Sequence, residues 1–184
     1  EAAHGMKLSS QLRVRGTRTT ASADTCVLSD FVAVGRADLL SQLFSEGIWV
    51  DASVIVELQD QFGDSVLGQL TGGERRLLIE RGYDPGHYME MAEIKSARPS
   101  MRHADIATVV LARKCGGTCL SSDKAVRKTC TERGIFIAGQ LGCLQVCVER
   151  HLLTKGEAER LLVAFRDNGL YLPETDFNAF LRGP

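Results

Sequence analysis

No uninterrupted apolar run of about 18 residues occurs in this 184-residue chain, so the sequence offers no candidate for a membrane-spanning helix. Nor do its first residues combine a basic segment, an apolar segment and a small-residue cleavage site, and no secretory leader is expected there. Repeats and low-complexity tracts are also missing, which sets aside solenoids and compositionally disordered arrays. The four histidines, His4, His87, His103 and His151, have no metal-ligand spacing, and no cysteine pair has the two-residue spacing of a zinc ribbon. These absences lead us to expect a soluble, cytoplasmic protein with no histidine-based metal centre.

What is present is enough chain for one domain with a sizeable core, or a compact domain with a helical extension. Residues 1–5 precede Met6 and are left out of the fold argument as a processing scar or expression remnant. The six cysteines, at 26, 115, 119, 130, 143 and 147, fall in apolar segments with core-like periodicity, and reduced, buried thiols are expected. The CxxxC pairs Cys115/Cys119 and Cys143/Cys147 leave structural zinc as a weaker alternative.

The formal net charge is only −1, but it is unevenly spread. Between Glu46 and Glu93 ten acids face three arginines, whereas between Met101 and Arg133 seven bases face three acids. The basic stretch is either a surface that draws a polyanion or a set of solvated helix faces.

Read along the chain, a polar segment with Arg13, Arg15 and Arg18 leads to TTASADT, a weak strand signal. Short helices are expected over VLSDFVAVG and ADLLSQLFSEG, then a strand at IWV and a helix carrying VIVELQDQF, capped by Asp51 or Ser53. Residues 64–100 are rich in glycine and proline, and two helical fragments, GERRLLIERG and HYMEMAEIKS, fit between the breakers. Then come a helix from about Met101 to Cys115, a strand at TCLSS, a helix at KAVRKTCTERG, a strand at IFIAG and an apolar helix at LGCLQVCVERHL. A last helix, TKGEAERLLVAFRDNG, opens on a Thr154/Glu157 capping box and stops at Gly169. Strands alternating with helices predict an α/β fold with parallel pairing, in which ligands gather at the carboxyl ends of the strands.

Four carboxylates sit at informative places in that plan: Asp24 after the first strand signal, Glu57 inside an apolar helix, Asp105 at a helix start, and Asp123 after a strand. Each has a plain structural reading, as a helix cap, a dipole partner or a solvated flank. Taken together they describe one edge of a parallel sheet. Two charges about 4 Å apart repel by about 4 kcal/mol at an effective dielectric of about 20, so such a cluster calls for a divalent cation or a shared proton. Oxygen donors alone favour Mg²⁺ or Mn²⁺ over zinc. A Rossmann-like or receiver domain would need a phosphate-cradling glycine loop, and DTCVLSD has none.

The stretches DTCVLSDFVAVGRADLLSQLF, VIVEL and ADIATVVLARKCGGTCLSSDKAVRKTCTERGIFIAG resemble the PIN-domain nucleases over about residues 22–145, in particular the bacterial and archaeal branch with VapC-type toxins. The order acid, EL, ADIA, SD, Gly carries the resemblance. It implies a three-layer α/β/α sandwich with a central, mostly parallel sheet and C-terminal helices. On that plan residues 1–20 form a basic arm, 21–148 the nuclease domain and 149–184 a helical extension packed on it. It further implies a Mg²⁺- or Mn²⁺-dependent endoribonuclease with Asp24, Asp105 and Asp123 as metal ligands and Glu57 as a ligand or water-orienting base. Thr25 and Ser122 would orient ligands, and Arg102, Arg113, Lys124, Arg127 and Lys128 would contact RNA phosphates. Implied partners are RNA, an antitoxin protein and a second copy of the chain; the alternative is a non-catalytic RNA- or protein-binding module. Two features depart from the family: a small-residue first strand where a strongly apolar one is usual, and a longer segment at 64–100.

Overall fold

In a computed structural model that describes residues 20–171 and 179, five short strands form one sheet. They are β1 (Ala21–Ala23), β2 (Ile48–Val50), β3 (Leu78–Glu80), β4 (Thr118–Leu120) and β5 (Ile137–Ala138), in the order β3-β2-β1-β4-β5. Every neighbouring pair is parallel. Nine helices are described: α1 (Thr25–Ala33), α2 (Ala37–Leu43), α3 (Ala52–Phe62), α4 (Asp64–Thr71), α5 (Pro85–Ala97), α6 (His103–Cys115), α7 (Lys124–Glu132), α8 (Gln140–Glu149) and α9 (Lys155–Asp167). The basic arm lies outside the described residues.

Side-chain alternation along the strands divides the core in two. Ala21, Ala23, Leu120 and Ala138 join a cluster with the buried faces of α1–α4, α8 and α9, while Cys119 and Ile137 join α5, α6 and α7 on the other face. The result is the three-layer α/β/α arrangement expected from the alternating elements. Helix α9 is part of it, since Leu162 and Phe165 are buried and Phe165 meets Phe31 edge to face at 5.0 Å.

The weak first strand has a packing explanation. Helix α6 lies directly across β1, and the Ser22 hydroxyl donates to the Thr108 carbonyl of α6 at 2.6 Å. A helix this close leaves room only for small side chains. Gly117 is under the same pressure, because a Cβ there would run into the Thr20 carbonyl and stand 2.8 Å from Cys115 Sγ.

Two expectations need correcting. The fragment GERRLLIERG is no helix: Leu77 and Leu78 are buried, and residues 78–80 pair with β2 as the edge strand. With Gly72 and Gly73 just upstream and arginines on either side, its apolar run is too short for a helical stripe but sufficient for one sheet position. Helix α4, in contrast, lies in the glycine- and proline-rich stretch 64–100, where the sequence suggests helical fragments only further along. The cysteines also differ from expectation at two places: all six are free thiols, but Cys26 is exposed and Cys115 only partly buried. No described helix is long and apolar enough to cross a membrane.

Two alanine substitutions separate close packing from helix propensity. Gly117→Ala must displace backbone and is expected to cost about 1–3 kcal/mol. Gly68→Ala adds its methyl to open space within α4 and should stabilise by about 0.5–1 kcal/mol. Urea denaturation midpoints check both.

Candidate active site

The chain runs from β1 outward to β3, then returns to place β4 on the other side of β1. The boundary between β1 and β4 is therefore the switch point of the sheet, where the following loops diverge and open a crevice. Asp24 follows β1 and Asp123 follows β4, and the Asp24 backbone N–H donates to the Leu120 carbonyl at 3.1 Å. Asp105 reaches the same edge from the first turn of α6.

Two of these carboxylates also serve the backbone. Asp24 caps α1 through the Val27 N–H at 3.1 Å, and Asp123 caps α7 through the N–H groups of Ala125 and Val126 at 2.8 and 2.9 Å. The capping and the clustered readings thus describe the same residues. Both bonds to Asp123 fall on Oδ1, leaving Oδ2 without a hydrogen-bond partner among the described residues. Glu57, exposed on α3, accepts from the Thr25 hydroxyl, which ties it to the residue after Asp24.

Asp24 and Asp105 are each only 6 % exposed. Burial pushes the Asp24 carboxyl above its ordinary range and the charges of Asp105 and Asp123 push it further, against hydrogen bonds from Ser121 and Val27. Asp24 thus lies in the field of both other acids.

The hydroxyl that the resemblance placed at Ser122 is supplied by Ser121. Its side chain donates to Asp24 and accepts from the Asp123 N–H at 3.1 Å, bridging two of the acids, while Ser122 is exposed. Extended backbone explains the exchange, because residues 121 and 123 share one side and 122 takes the other. That alternation was available in the string LSSD.

Of the bases, Arg102 stands within the site, and its guanidinium holds both oxygens of Asp105. Lys124 and Lys128 line an open groove of about 590 Å³ with Arg98, Pro99 and Ser100, and none of the acids is part of its lining. Arg127 turns back toward the Ser121 carbonyl, 3.5 Å away. Arg113 does not border the acids: eight residues beyond Asp105 on α6, it lies about 12 Å further along the helix. Its guanidinium pairs instead with buried Glu90 at 2.6 Å, alongside Arg133 at 3.2 Å. Part of the acidic middle segment is therefore neutralised by the basic segment of the same chain.

One further carboxylate occupies this edge. Asp51 follows β2 and caps α3 as expected, but it also accepts from the Tyr83 hydroxyl at 2.6 Å and has His103 Nε2 4.0 Å away. Its oxygens are engaged in holding the β3–α5 loop.

The donor chemistry fits a hard divalent cation, with carboxylates and hydroxyls at one crevice. Among the described residues, however, no three acidic, histidine or cysteine side chains are arranged to hold one ion. Asp105 is committed to Arg102, so accepting a cation requires that pairing to open.

The chain matches the family described as a PIN domain over residues 21–183. It therefore belongs to the PIN-domain family, a class of nuclease-type modules that typically use divalent metals. The match continues past residue 145 through α9. Comparison with curated proteins gave no match.

The raised Asp24 carboxyl sets a pH dependence. An acid that holds its proton more tightly folded than unfolded favours the fold below its unfolded value, near the ordinary 3.8, and that stability is lost as pH rises through the folded value. In metal-free protein, Asp24→Asn should therefore be more stable than wild type at pH 7, with the difference closing toward pH 4. Urea midpoints measured in EDTA across that range provide the check.

Proposed function

We propose that this protein is a divalent-metal-dependent endoribonuclease that hydrolyses RNA phosphodiester bonds. The observation that supports the reading is that Asp24 follows β1 and Asp123 follows β4 at the switch point of the sheet, with Asp105 in the first turn of the helix packed across β1. Family membership supports it.

Asp24, Asp105 and Asp123 would hold Mg²⁺ or Mn²⁺, with Glu57 at the margin. A bound divalent ion lowers the pKa of an attacking water and stabilises charge on the phosphate and the leaving oxygen. The chain's own residues prepare the site. Ser121 fixes Asp24 and the backbone of Asp123 relative to one another, and Thr25 holds one oxygen of Glu57 while the other remains available to orient water. Lys124 and Lys128 open the helix that Asp123 caps, have no ion pair among the described residues and line a groove in which they would meet backbone phosphates.

A second reading, a non-catalytic RNA- or protein-binding module, is favoured by one observation: Arg102 already neutralises Asp105. Incubation of labelled single-stranded RNA with Mn²⁺ separates the two. Cleavage is expected, and Asp105→Asn should lower it by a factor on the order of 10²–10³, the loss typical when charge stabilisation is removed from a transition state. Binding without cleavage in wild type would favour the module. A narrower form of the first reading, the toxin of a toxin–antitoxin pair, rests on the resemblance alone. A small adjacent gene encoding a DNA-binding antitoxin is its test.

Salt dependence tests the groove. In Ca²⁺, which occupies oxygen sites and often fails to support cleavage, the log–log slope of RNA affinity against salt should be about −0.7 per phosphate contacted. Replacing Lys124 and Lys128 together by Ala should make it shallower by about 1.4.

A further inference from the structure

Arg102 precedes α6 and turns its guanidinium back over the first turn of the helix. Nε donates to Asp105 Oδ2 and a terminal nitrogen to Oδ1, each at 3.1 Å, so the fork takes the whole carboxylate. The same guanidinium feels the charge of Glu57 and lies near Cys26, which places it among the acids and not on their outer rim.

The two partners differ sharply in environment. The Arg102 side chain is 69 % exposed and that of Asp105 only 9 %. Release into water therefore costs the exposed arginine little, whereas the buried carboxylate is left uncompensated unless another cation takes its place. No other hydrogen bond or ion pair holds the Arg102 side chain among the described residues. These facts describe a cation that can be exchanged but not simply removed.

We propose that Arg102 is the resident counter-cation of this site, displaced from Asp105 when a divalent ion enters, and that its freed guanidinium then binds a non-bridging oxygen of the substrate phosphate. The inference rests on the ribonuclease reading. Carboxylate and phosphate present a similar pair of oxygens to a guanidinium fork, so one side chain can serve both in turn. The exchange keeps the empty site neutralised and makes ion entry coincide with the appearance of a phosphate-binding group.

The test compares wild type, Arg102→Ala, Arg102→Lys and Asp105→Asn after EDTA stripping. Mn²⁺ binding is read without RNA, from loss of the free-ion electron paramagnetic resonance signal, and RNA affinity is read in Ca²⁺ over a range of salt. Arg102→Ala should bind Mn²⁺ more tightly, by roughly two- to fivefold, the range spanned by an exposed ion pair. Its RNA salt slope should become shallower by about 0.7, one phosphate contact. Arg102→Lys, which keeps the charge but not the fork, should fall between, and it carries the comparison if the alanine variant does not fold. Unchanged or weaker Mn²⁺ binding in both Arg102 variants, with wild type binding normally, overturns the exchange and leaves the ribonuclease reading intact. Tighter Mn²⁺ binding with an unchanged salt slope overturns the phosphate contact. If wild type binds Mn²⁺ no better than Asp105→Asn, both this proposal and the metal-dependent reading fail.

Discussion

The close approach of helix α6 to strand β1 is the constraint on which the site depends. Because the Ser22 hydroxyl reaches the Thr108 carbonyl, the helix axis lies low over the sheet, and the first turn of α6 carries Asp105 to the edge where Asp24 leaves β1. The geometry requires a central strand of alanine and serine, an unsubstituted residue at Gly117 and an oxygen-rich crevice, all from one contact. A bulky, strongly apolar β1 would lift the helix and separate the two acids. What reads as a weak strand in the sequence is the condition for bringing the carboxylates together.

Charge is organised at two depths. Near the crevice the acids outnumber their partners, and the imbalance is met by hydroxyls at Ser121 and Thr25, by helix N-termini and by one exposed arginine. Away from it, Glu90 is buried between Arg113 and Arg133, tying α5 to α6 and to the end of α7. The acidic and basic halves of the sequence are thus partly one another's partners. Lys124 and Lys128 are among the bases left over from that matching, and both line the groove with Arg98.

The alternation of elements was legible wherever apolar residues kept a period long enough to count. The helices from Met101 and from Thr154 and the strands at IWV and TCLSS lie within a few residues of where the sequence put them. Asp24 and Asp123 drew notice in the sequence because each stands at a strand-to-helix junction, where a carboxylate has local work as a cap. The misses share a different cause. Strand β3 and helix α4 are decided by what they pack against, since LLIE becomes a strand through pairing with β2, and the glycines around α4 hid a helix only eight residues long. Ser121 was hidden by its neighbour Ser122, and Arg113 by a count of charge that did not ask which end of a helix it occupies. Family patterns locate positions along the chain, but only the pleat and the helix pitch decide which side of the molecule each position faces.

The bond from Ser121 to Asp24 joins residues 97 apart in sequence, and β1 pairs with β4 across the same interval. As the chain emerges during synthesis, β1, β2 and β3 can assemble early, but the other edge of β1 stays open until residues 118–120 arrive. Until then the central strand presents an unpaired, pairing-competent border, and long-range closure of this kind is intrinsically slow. The carboxylate crevice is created by that same closing step. Residues 118–123 must leave the ribosome before the crevice exists, so the order of folding delays whatever chemistry it performs.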